Sequence, residues 1–136
     1  MPNDLLLDIA ELRLLSWSAT EACFGIPGTE YRLTLDHDGE GDPPTAIGRR
    51  THGRIIGAAL KMAKPVAGGN YIEPLDGHPR IVQGTVIATD SANHRLLVEL
   101  VVPVWVVMAE GQSPSGFATG DVVMFYLKRG TRFERA

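Results

Sequence analysis

The sequence predicts an all-β, mainly antiparallel fold closed as a small barrel of five or six strands, and three observations carry that prediction. Residues 81–89 and 95–102 are rich in Val, Ile and Leu and flank Asp90-Ser91-Ala92-Asn93-His94. That is the pattern of a β-hairpin, with Asp opening the turn and Asn93 suited to a left-handed conformation. Tyr31, Leu33 and Leu35 alternate with Glu30, Arg32, Thr34 and Asp36, the period of a half-buried strand. Gly and Pro recur between the apolar runs, too often for long helices. Several antiparallel strands of this length must curl or stack to protect their edges, and a barrel does both.

Taken in order, residues 4–15 read as a short N-terminal helix: Leu5, Ile9 and Leu12 share a stripe, and Asn3 or Asp4 can cap the first turn. The rival reading is a strand over residues 11–18. After the 31–35 strand, residues 36–44 are acidic and turn-rich and predict an exposed loop. Residues 54–62, with paired isoleucines and a central Gly57, predict a strand containing a bulge or a close approach. Residues 64–80 hold Pro65, Gly68, Gly69, Pro74, Gly77 and Pro79 and predict a long loop with Tyr71 and Ile72 as a short strand; loops of that length are often functional. Past the hairpin, Pro103 cannot donate to a ladder and predicts a bent strand that resumes at Val104. Residues 121–127 predict a strand, Gly130 a positive-φ turn, and residues 132–134 a short final strand pairing back.

A chain of 136 residues predicts one β-barrel domain over 1–136. An apolar fraction of 44% against 21% charged places it with globular rather than disordered chains. Cys23 is the sole cysteine, which excludes an intrachain disulfide and a cysteine-based zinc cluster. The acidic N-terminus lacks a secretory n-region, so a cytoplasmic protein is expected. The longest apolar stretch, residues 96–108, contains Glu99 and Pro103 and is shorter than the roughly 20 residues of a spanning helix, so no membrane partner is expected.

The strand count, the corner at Pro103, the Gly120-Asp121 entry to a late strand and the closing turn are compatible with an OB-like five-stranded barrel. This is an architectural analogy carried by no residue motif, and such a fold hosts many functions.

Charge is unevenly distributed. Residues 1–48 carry nine acids against Arg13 and Arg32, −7, leaving +4 for the remainder of a chain whose net charge is −3. Around the 64–80 loop, Lys64, Tyr71, His78 and Arg80 place one aromatic ring among cations, the pairing used to stack bases and hold phosphates. These four residues are the predicted ligand site, of a non-catalytic module whose partner is nucleic acid or a protein. Self-association through the apolar 96–108 strand, which carries Trp105, is one alternative, with a homo-oligomer as its consequence. A small hydrolase is the other.

No cofactor motif supports further chemistry. Residues 36–42 resemble the start of a calcium loop, but Ile47 stands where the bidentate Glu belongs and Pro43 and Pro44 interrupt it. Gly68-Gly69-Asn70 lacks the Lys-Ser/Thr and helix of a phosphate loop. His37, His52, His78 and His94 have no metal-ligand spacing, so no metal and no catalytic residue are predicted.

Overall fold

The structure is a computed structural model and describes residues 7–39 and 41–136. It contains β1 (Ala10–Trp17), β2 (Glu21–Gly25), β3 (Arg32–Asp36), β4 (Arg50–Ala58), β5 (Tyr71–Glu73), β6 (Asp76–Gly77), β7 (Ile81–Asp90), β8 (Arg95–Glu99), β9 (Pro103–Val107), β10 (Val122–Tyr126) and β11 (Arg132–Arg135).

Period-two alternation builds a closed five-stranded barrel from β1-β2-β3-β11-β4, with β4 returning to β1. Leu12, Leu14, Phe24, Leu33, Leu35, Ile55 and Phe133 face inward and are buried, as one face of each strand must be. All pairs in this barrel are antiparallel except β3 with β11. A register shift between Leu14 and Ser16 marks a bulge in β1, which lets the strand bend around the core.

Residues 59–131 form the second half of the molecule. The C-terminal half of β4 pairs in parallel with β9, and the sheet continues through β8 and β7 to β10. The chain leaving β4 then bridges the far edge of β10, at Ala59↔Leu127 and Ala63↔Met124. This second sheet therefore returns to the strand it started from, and β4 belongs to both halves. Gly57 stands where they meet: a Cβ there would lie 2.9 Å from Leu127 Cδ2 and 3.0 Å from Thr131 Oγ1. The close approach expected in this strand is present.

Several expectations are corrected. The helix over 4–15 is a strand from Ala10 onward, while residues 4–6 lie outside the described residues. Pairing of Ala10–Arg13 with β4 outweighs the helical spacing of the leucines. The hairpin forms as β7 and β8, but the left-handed residue is His94 (φ 56), because residues 91–93 take a 3-10 turn and push the reversal one residue on. Pro103 opens a new antiparallel strand rather than continuing a bent one: the chain reverses at residues 100–102, and Leu96 faces Val106. The last strand does not pair back onto its predecessor. It crosses to the first barrel and lies between β3 and β4. The barrel is thus built mainly by the N-terminal residues, and the strands exceed the expected five or six. The 64–80 segment is stitched to both sheets, β5 to β7 and β6 to β3. Among the described residues, no helix is long and apolar enough to cross a membrane.

Candidate functional site

The β2–β3 ladder sets Glu21 directly opposite Asp36. Their strand neighbours Ala22 and Leu35 are buried, so alternation turns both carboxylates out of the barrel. Asp36 is fixed from the other side as well, since its N–H donates to Thr131 O at 3.0 Å. β6 runs parallel to the start of β3 and delivers the next residue, His78, to the same face. His78 Nε2 lies 3.1 Å from Glu21 Oε2. One potential ligand atom from each of Glu21, Asp36 and His78 falls within 4.8 Å of the others.

These residues form one wall of a cleft of about 520 Å³, whose other wall is the turn between β10 and β11. Leu127 N–H donates to Arg80 O at 2.7 Å and Lys128 N–H to Ala58 O at 2.8 Å, which anchors that turn at the end of the shared strand. Gly130 (φ +99) makes the reversal and passes close to the Asp36 carboxylate, 4.0 Å from where a Cβ would stand. The cleft is rimmed by Arg80, Lys128 and Arg129, all exposed. None of the three has a carboxylate within ion-pairing distance among the described residues. Thr131, which also lines the cleft, is 5% exposed; its hydroxyl lies towards Gly57 and has no hydrogen-bond partner among the described residues. The three cations outnumber the carboxylates of Glu21 and Asp36 in the cleft lining.

Of the four residues expected to form a site, His78 and Arg80 come together here. Lys64 does not. It pairs with Asp121 at 3.2 Å and lies over the Phe117 ring at 5.8 Å. The Ala118 N–H, assisted by Lys64, holds the Asp121 carboxyl below its ordinary range. Asp121 precedes β10 and Leu127 follows it, so Lys64 and Arg80 sit at opposite ends of a strand roughly 17 Å long. Tyr71 is half-buried on β5 opposite Gln83. Its ring is not among the cleft's lining.

Sequence reasoning missed Glu21, Asp36, Lys128 and Arg129. The one signal was Asp36 in the acidic segment that fails as a calcium loop; Lys128 and Arg129 read only as a turn. Four separate parts of the chain supply the cleft (Glu21, Asp36, residues 78–80 and residues 127–131), so no local spacing could reveal it.

Two other clefts are more self-satisfied. One of about 490 Å³ holds Arg13, Tyr31, Arg32 and Arg50, but Arg13 donates to Gly48 O and Arg50 pairs with Glu11. The second, of about 770 Å³, contains Trp17 stacked on His37 at 3.9 Å. The His37 ring is itself committed at both nitrogens, to Ser18 O and Gly39 N. Burial, reinforced by Asp76, pushes the Cys23 thiol up, the wrong direction for a nucleophile. Comparison of the chain with protein-family models, curated proteins and solved structures returns no match.

Proposed function

We propose that this protein is a non-catalytic binding module whose ligand is a single-stranded nucleic acid, held by phosphate contacts at the β2–β3 cleft. The observation that carries the reading is the trio Arg80, Lys128 and Arg129 around that cleft, none of which has a carboxylate partner among the described residues. Cations without protein partners give up little on meeting phosphate, and each contact releases counterions.

The order of the barrel strands supports an OB-like architecture, with β11 in fifth place and residues 59–131 filling the connection between the fourth and fifth strands. In barrels of that class, the face of strands two and three and the loops around it take oligonucleotides and oligosaccharides. The cleft lies on that face, and His78, Arg80, Lys128 and Arg129 all come from that long connection. Only the end of the 64–80 segment takes part in this reading, and the 128–131 turn supplies the rest.

Neither alternative gains an observation. β8 is paired on both edges, to β7 and β9, and β9 lies between β8 and β4, so the apolar 96–108 run has no open edge to give a second copy. Trp105 is engaged within the chain, its Nε1–H donating to Asp8 and its ring lying 3.9 Å under Arg95. Burial raises the Cys23 thiol, which disfavours Cys23 as the nucleophile of a hydrolase.

Fluorescence anisotropy of a labelled single-stranded oligonucleotide, with chelator present, tests the reading. Three phosphate contacts give a log–log salt slope of about −2, and reversing the charge of Lys128 and Arg129 together removes about 1.4 of it. Salt-independent binding, or equal affinity in the Lys128→Glu/Arg129→Glu variant, sinks the proposal.

A further inference from the structure

We infer that Glu21, Asp36 and His78 bind a divalent transition cation, of the class represented by Zn²⁺ and Mn²⁺, at the acidic wall of the β2–β3 cleft.

The donor set is the first ground. One imidazole nitrogen and two carboxylates suit borderline metals, whereas Ca²⁺ asks for six to eight oxygens and Mg²⁺ dehydrates reluctantly. Geometry is the second. Ligands about 2.0–2.2 Å from a metal stand roughly 3–3.5 Å apart from one another. His78 Nε2 and Glu21 Oε2 already stand at 3.1 Å, and all three ligand atoms fall within 4.8 Å, so half-exposed side chains need only small rotations to converge. Two of the three positions are fixed by backbone: Glu21 and Asp36 by ladder register, and Asp36 again by its bond to Thr131 O.

Unspent polar capacity is the third ground. The His78–Glu21 contact accounts for two of the groups, but no donor reaches the Asp36 carboxylate among the described residues. Two carboxylates facing each other across a ladder repel, and a divalent ion offsets that repulsion. It also leaves Arg80, Lys128 and Arg129 uncompensated, which would strengthen anion binding beside an open coordination position. The cation site itself does not depend on the oligonucleotide reading.

Isothermal titration of the full chain with ZnCl₂ and with MnCl₂, without oligonucleotide, is the test. One saturable equivalent is expected. Asp36→Asn and His78→Ala should each weaken it by about 100-fold, at the upper end of losses seen even for supporting residues. His52→Ala, exposed on β4, should leave it unchanged. Should Asp36→Asn fail to fold, paramagnetic broadening by Mn²⁺ decides: the His78 ring signals must broaden while those of His52 and His94 persist. No saturation by about 1 mM metal, wild-type affinity in His78→Ala, or equal broadening of all the histidines overturns the inference. The oligonucleotide assay is run with chelator and this one without oligonucleotide, so either reading can fail alone.

Discussion

At Gly53 the barrel wall has no room for a methyl group. A Cβ there would stand 2.2 Å from Phe133 Cε1 and 2.6 Å from Glu134 O, and the Phe133 ring packs on Phe24 with centroids 4.6 Å apart. Close-packed interiors answer such intrusions with backbone shifts rather than small local adjustments. Gly53→Ala is therefore expected to cost about 1–3 kcal/mol or more, read as a lower urea midpoint at unchanged slope. Adding Phe133→Leu should recover part of that loss, giving a double-mutant coupling of opposite sign to the single effect. Gly57 and Gly84 obey the same rule, the latter with Glu99 O at 2.4 Å from the added carbon.

Among the elements, the β7–β8 hairpin shows how side chains set a reversal. Asp90 accepts from Asn93 Nδ2 at 2.8 Å, from Asn93 N at 3.3 Å and from Arg95 Nε at 2.9 Å. The Asn93 amide first, and Arg95 after it, hold the Asp90 carboxyl below its ordinary range. A carboxyl lowered on folding contributes stability that is present above its unfolded pKa and is lost as pH falls through the folded value. Asp90→Ala should accordingly lower Tm at neutral pH, and the gap to wild type should close as the solution is acidified past the usual carboxylate range. A gap that persists at low pH would assign the effect to turn geometry instead of charge. β1 makes a complementary point: Leu12 fits a helix stripe with Leu5 and Ile9 and, with Leu14, the face of a strand, and partners on both edges, β2 and β4, select the strand.

At the scale of the whole molecule, β4 is the shared member. Its first half closes the barrel against β1 and its second half starts the other sheet against β9, while β11 and the 128–131 turn tie the end of the chain back to both. Trp17 lies in the first half and Trp105 in the second, so Trp17→Phe and Trp105→Phe each leave one reporter. Urea unfolding followed by the two variants should give coincident midpoints after correction for their own stability differences. Separated midpoints would mean that the halves come apart independently and that β4 does not couple them.

What the sequence by itself determined is whatever depends on neighbours close along the chain. The 81–102 hairpin, the 31–35 strand, the turn at Gly130 and the all-β class follow from turn chemistry and period-two alternation, which act over a few residues. What only the tertiary structure decided is pairing between distant segments: which strands close the barrel, where β11 goes, and the meeting of Glu21, Asp36, His78, Arg80 and Lys128. The same alternating strand can pair with many partners at nearly equal local cost, and the choice is made by the burial of a common core. His78 and Arg80 could be singled out in advance because breakers mark their loop. Glu21 and Asp36 become a pair only through a ladder register that cannot be read from either residue's own surroundings.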